Sequence, residues 1–207
     1  MKLLLASNNP GKIHEVKHFF KGTQIEILSL DDVKIIDDSF ADLANQEIEE
    51  VGQTYQDNAL LKAKFFADKT QLMTMAEDSG LEVASLDNFP GVNSKRWLSG
   101  SDLDRNMALL KKLEEITNRQ AKFVAIICLY NPIDQSNHFF TGEVTGNITY
   151  QPKGATGFGY DSIFIPSEYQ QTFAELGLAE KNKISHRLKA LQKLKEFLNV
   201  DKGLTAM

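Results

Sequence analysis

A chain of 207 residues is long enough for one large domain or a two-lobed one. With 42% hydrophobic and 25% charged residues, it has the balance of a globular protein in water. The net charge of −5 argues against a general nucleic-acid binder, which carries a basic face, but leaves room for a small anion held by local Lys and Arg.

The single cysteine, Cys128, excludes an intramolecular disulfide and lies in the apolar run FVAIICLY, where a small core residue is expected rather than a nucleophile. The start, MKLLLASNNPGK, has too short an apolar region for a signal peptide. No run approaches the roughly 18 apolar residues that span a bilayer. A cytoplasmic protein with no membrane and no nucleic-acid partner is expected.

In chain order, Lys2–Ser7 reads as a short buried strand, Asn8 to Gly11 as a loop, and Lys12 as the opening of a helix with Ile13, Val16, Phe19 and Phe20 on one face. Glu26–Leu30 completes a β-α-β start, which indicates an α/β fold. Residues 31–50 are acidic and weakly patterned and read as a mobile insertion ending at Glu49-Glu50. Thr54 or Asp57 can cap a helix whose apolar face carries Ala59, Leu60, Ala63, Phe66 and Ala67.

The stretch TMAEDSGLEVASLDNFPGVNSKRW follows at residues 74–97. It reads as a strand whose mouth carries Glu77 and Asp78, then Ser79-Gly80, a second strand-like run Leu81–Leu86, and a turn at Pro90-Gly91. Ser101 with Asp104 forms a capping box before a helix through Leu109, Leu110, Leu113 and Ile116. Phe123–Tyr130 is a central strand and His138–Thr149 a further one. The glycine-rich KGATGFGYD leads into IFI, and a last helix runs from about Asn182 to Val200.

Four groups of residues suggest chemistry. Ser7, Asn8, Asn9, Pro10, Gly11 and Lys12 stand between strand and helix, where free amides favour an anion. The set is not a P-loop, because Ala6 and Ile13 occupy its Gly and Ser/Thr positions. Glu49, Glu50, Glu77 and Asp78 are candidate ligands for a hard cation, since buried carboxylates need a partner. Phe158, Gly159, Tyr160 and Asp161 can bring an aromatic face and a carboxylate to a base. Lys181, Lys183, His186 and Arg187 gather at the expected start of the last helix, where positive charge opposes the macrodipole and an anion would offset it. Lys62 and Arg96, read alone, are surface cations.

Five segments together resemble the inosine-triphosphate pyrophosphatase (ITPase) family: SNNPGK, EEVGQTYQDNALLKA, AEDSGLEV with PGVNSKRW, GFGYDSIF, and EKNKISHR. They occur in the family's order from residue 7 to residue 187, and together they are very specific. Asp57, Glu77 and Ser162 stand where the family more often has Glu, Asp and Pro, all conservative departures.

The resemblance implies an α/β fold, an elongated mixed β-sheet flanked by helices, with two lobes around a central substrate cleft in a single domain over residues 1–207. It implies Mg²⁺-dependent hydrolysis of ITP, dITP and XTP to the monophosphate and pyrophosphate by a homodimer. It carries the catalytic acid and a metal ligand to Asp78 and the second metal carboxylate to Glu49, with Glu50 as the alternative. Phosphate and sugar contacts fall to Ser7–Lys12, Lys62 and Ser79, and base and phosphate contacts to Phe158–Asp161, Lys181, His186 and Arg187. A Maf-like pyrophosphatase of different base preference and a non-catalytic nucleotide-binding module are the competing readings.

Overall fold

The computed structural model describes residues 1–36, 40, 42–46 and 48–204. The strands are β1 (Lys2–Leu5), β2 (Glu26–Leu28), β3 (Thr74–Val83), β4 (Phe89–Pro90), β5 (Gln120–Tyr130), β6 (Asn137–Ile148) and β7 (Phe164–Pro166). The helices are α1 (Pro10–Phe20), α2 (Leu30–Ile36), α3 (Tyr55–Thr70), α4 (Asp102–Lys112), α5 (Phe173–Ile184) and α6 (His186–Leu204). The strands form one mixed sheet in the order β2-β1-β3-β5-β6-β7, with β4 paired antiparallel to β3. β1 runs parallel to both β2 and β3, and β7 antiparallel to β6. This is the expected mixed α/β architecture. No helix among the described residues is long and apolar enough to cross a membrane.

The chain divides into two compact units. The first comprises Met1–Asp78, Ile126–Thr141 and Ala190–Met207, and the second Ser79–Ala125 and Gly142–Lys189. In the first unit, Leu4 and Ala6 of the β1 segment and Ala76 of β3 pack with Ala59, Ala63, Phe66 and Ala67 of α3. Small residues on the inner face of α3 let the helix lie close to the sheet. Cys128 is fully buried in this core, and burial pushes its thiol up to about 12, so it is a packing residue as expected. In the second unit, Leu81 and Val83 of β3 meet Leu109, Leu110 and Leu113, while Phe123, Phe164 and Phe173 form a ring cluster. Arg119 is buried, with its guanidinium donating to the carbonyls of Leu113, Ile148 and Thr149.

Four expectations are corrected. The acidic stretch is not simply a mobile insertion. Leu30 and Val33 are buried and build α2, whose first turn carries Asp31 and Asp32, and a 3-10 turn at Leu43–Asn45 buries Leu43. Residues 37–39, 41 and 47 of that stretch lie outside the described residues. Second, Glu77 and Asp78 do not sit at a strand mouth, because β3 is one ten-residue strand that continues through Gly80 to Val83. Third, α4 ends at Lys112, leaving Ile116 beyond it. Fourth, the last helix is broken. Ser185 has extended backbone (φ −65°, ψ 154°), and its hydroxyl accepts from the Leu188 N–H, so α6 starts afresh at His186.

Candidate active site

The first unit gathers a compact set of charges around the middle of β3. Glu77 and Asp78 are each only 5% exposed, which for adjacent carboxylates demands compensation. Lys12 provides part of it, with its Nζ 3.2 Å from Glu77. It is brought there by the turn into α1, where Asn9 caps the helix by accepting from the Lys12 N–H, the Ser7 hydroxyl accepts from Asn9, and Pro10 occupies the first turn. Within that loop Asn8 and Pro10 are exposed, and Gly11 and Lys12 half-buried.

Lys62, from α3, donates to the Glu77 carbonyl at 3.0 Å and is paired with Glu50. It is not the surface lysine its helix pattern suggests, since its side chain is only 15% exposed. Burial pushes its ammonium below the ordinary range, against the opposing pull of Asp78 and Glu77. Glu49, next to Glu50, is exposed. The side-chain amide of Asn58 links the loop that carries the two glutamates to Asp78. Asn58 accepts from the Gly52 N–H at 2.8 Å through Oδ1 and donates to Asp78 Oδ2 at 3.0 Å through Nδ2. Asn58 is fully buried, one turn before Lys62 on the same face of α3. Sequence reasoning missed it, although the i, i+4 pairing of two polar residues on a helix face otherwise made of Ala and Phe was the available signal.

Among the described residues, no three His, Cys, Asp or Glu groups form a ready-made metal cage. The oxygen donors that Glu77 and Asp78 offer are carboxylates, of the kind that hard cations take.

Ser79, half-buried, opens the second unit. There, Gly157–Asp161 forms a tight loop. Gly157 (φ +84°) abuts the Asp161 carboxylate where a Cβ would stand, so only glycine fits. Asp161 accepts from the Phe158 N–H at 2.9 Å and from Lys181 Nζ at 2.6 Å, and both members of that pair are buried. Tyr160 turns inward, donating to the Ser94 carbonyl at 2.6 Å and accepting from Trp97 Nε1 at 2.7 Å, and burial raises its phenol to about 12. The half-buried Phe158 ring has Lys181 Nζ 4.3 Å and Arg187 Cζ 5.7 Å from its centre.

Lys181 is in the last turn of α5, where its charge is favourable, rather than at a helix start. His186 and Arg187 do open a helix and are 4% and 2% exposed, with the imidazole stacked on Phe123 at 4.7 Å and 7°. Lys183 stands apart, pairing with Glu180 at the surface, and exposed Arg96 donates to the Val92 carbonyl.

The chain resembles known proteins over nearly its whole length. A family model described as the Ham1 family matches residues 3–197. The dITP/XTP pyrophosphatase of Porphyromonas gingivalis is 39% identical over 201 residues, covering 95% of this chain and 97% of that protein. The Haemophilus influenzae protein of the same name is 41% identical, covering 95% of this chain and 98% of that one. Among solved structures, a HAM1 protein from Coxiella burnetii superposes with a TM-score of 0.84 at 35% identity, covering 96% of this chain and 98% of its own. The Staphylococcus aureus Ham1 protein follows at 0.82 and 35%, covering 97% and 100%. With most of the chain matched by the family model and by relatives well above 30% identity, this protein belongs to the Ham1 family.

Proposed function

We propose that this chain is a dITP/XTP pyrophosphatase, which hydrolyses ITP, dITP and XTP to the nucleoside monophosphate and pyrophosphate and so clears non-standard purines before they enter DNA or RNA. The observation that carries this reading is the Glu77–Asp78 pair buried on β3 among Lys12, Lys62 and Asn58. Buried acids interleaved with lysines suit a polyanion that arrives with its own cation. In this reading residues 1–207 act as one two-lobed domain, as a homodimer in the cytoplasm.

Asp78 and Glu49 would hold Mg²⁺, with Glu50 as the alternative to Glu49; when bound, the ion neutralises charge on the phosphate oxygens. Asp78, held in orientation by Asn58, orients the attacking water or takes its proton. Lys12 and Lys62 stabilise the charge that builds on the leaving pyrophosphate. The Ser7–Gly11 turn gives amides to the phosphates, and Ser79 a hydroxyl to phosphate or sugar. Phe158 gives the purine a face. Gly159, Tyr160 and Asp161 shape the loop that presents it, and Lys181, His186 and Arg187 supply cationic and donor groups. Discrimination against adenine rests on position 6 of the purine, where hypoxanthine and xanthine carry a carbonyl and adenine an amine that would leave a protein donor unpaired, while guanine shares that carbonyl and its exclusion needs another element.

The test is purified protein with Mg²⁺ against ITP, XTP, ATP and GTP, with products separated by chromatography. IMP plus pyrophosphate from ITP, with ATP and GTP spared, is the expected result. IDP plus phosphate would move the attack to the terminal phosphate and overturn the assignment of Asp78. Chelation with EDTA should stop turnover and added Mg²⁺ restore it. Asp78→Asn should lower kcat by at least about a hundredfold with an unchanged circular dichroism spectrum.

A further inference from the structure

The loop that carries Phe158 is held from outside its own sequence, by one face of α4. The Gly159 N–H donates to Asp102 Oδ2 at 2.6 Å, and the Gly159 carbonyl accepts from Asn106 Nδ2 at 3.1 Å. Asp102 and Asn106 are four residues apart on α4, one above the other. Between them they fix the two peptide planes that flank a residue with φ +63°, where among the described residues nothing beyond its chain neighbours lies within 4 Å of the missing Cβ. A glycine in open space has the most conformational freedom to lose, so the α4 contacts are what select its conformation.

Each anchor is itself prepared. Asp102 accepts from Arg105 at 2.5 Å, and Arg105 in turn donates to the carbonyls of Gly100 and Leu98. Burial alone would push the Asp102 carboxyl up, but the Arg105 guanidinium and the Gly159 N–H outweigh it and hold the group below its ordinary value, so it stays an ionised acceptor. Asn106 is 2% exposed and donates a second time, to the Ser162 hydroxyl at 3.0 Å. Its orientation is fixed by chemistry, because a carbonyl at Gly159 can only accept. The position therefore uses the amide donors of Asn106 twice, once on the loop backbone and once on Ser162.

We propose that Asp102 and Asn106 are positioning residues for purine recognition: by clamping both sides of Gly159 they set where Phe158 meets the base, and so set base affinity and selectivity without touching the substrate. The inference rests on the pyrophosphatase reading and its assignment of Phe158 to the base.

The test compares wild type with Asn106→Leu, Asp102→Ala and Asp102→Asn in steady-state hydrolysis of ITP and GTP with Mg²⁺, alongside thermal unfolding. Asn106→Leu and Asp102→Ala should each raise KM for ITP about tenfold, with kcat within about threefold, and narrow the preference for ITP over GTP. Asp102→Asn keeps an acceptor and should return KM and preference towards wild type. The double variant Asn106→Leu/Asp102→Ala should fall short of the product of the single effects, since both act through Gly159. Wild-type KM and preference in the variants, with losses confined to kcat or Tm, would overturn the inference by making the contacts structural only. If Asn106→Leu does not fold, the half-exposed Asp102→Ala decides by the same readout. Absence of ITP turnover by wild type overturns the pyrophosphatase reading and the inference with it, whereas an active wild type with unaltered variants overturns the inference alone.

Discussion

At Asn58 one amide serves two masters, the backbone of the loop bearing Glu49 and Glu50 and the carboxylate of Asp78. Replacing it by Leu keeps the volume but leaves the Gly52 N–H and a buried carboxylate short of a partner. Asn58→Leu is expected to lower kcat/KM by at least about tenfold and to weaken the Mg²⁺ activation curve, both measurable in one metal titration. Lys62 makes a second prediction, about pH. Its folded pKa lies below the ordinary value of 10.5. Its positive charge is therefore lost as pH rises through that lower value, and the alkaline limb of kcat/KM should begin below the usual lysine range. The stability linkage has the opposite sign, because a depressed lysine destabilises the fold while charged in it, and that penalty is relieved between the folded and unfolded values. Lys62→Arg, which stays protonated, should move the alkaline limb upwards, and an unmoved limb would assign it to another group. That Asp78 needs a polar partner was legible from sequence, because an apolar core would not hold a bare carboxylate. Asn58 and the inward turn of Tyr160 were not, because their roles are set by partners far along the chain.

Among the elements, local chemistry read most clearly where it is self-contained. The Ser101–Asp104 capping box opens α4 as expected, and the Thr54–Asp57 pair turns out to be a full capping box on α3. The matching box at Thr172–Glu175 on α5 went unread because Gly177 interrupts the helical pattern that follows it. The break at Ser185 was hidden for the converse reason: residues 182–200 contain no Gly or Pro, so helical periodicity runs through a stop made by backbone conformation alone. β3 was read as two pieces because an Asp-Ser-Gly sequence normally punctuates a strand, yet here sheet pairing carries it through. The β6–β7 pairing offers a direct check. Gly146 faces Pro166, and a Cβ there would run into the Ile165 carbonyl, which belongs to the backbone and cannot swing away. Gly146→Ala should destabilise the protein by about 1–3 kcal/mol, read as a lower urea midpoint with unchanged slope.

For the molecule as a whole, the fold class and family were legible because five short motifs keep their order over almost the entire chain, whereas the partition into units was not, since it depends on contacts rather than composition. The first unit is assembled from three separate stretches, and the last of them is α6 from Ala190 onward. Leu191, Leu194 and Leu198 are buried there, and leaving each of these positions unfilled forfeits about 1.5–3 kcal/mol of burial. A chain ending at Lys189 should therefore be insoluble or show reduced helicity by circular dichroism, and a soluble, native-like truncate would contradict the assignment of α6 to that unit. The interleaving also bears on biosynthesis. A growing polypeptide usually folds from its N-terminus forward, but here the unit that begins the chain is the last to be completed. The ribosome finishes the second unit at Lys189 while the first still waits for its closing helix. A premature stop near the end would thus spoil the part of the protein that was made first.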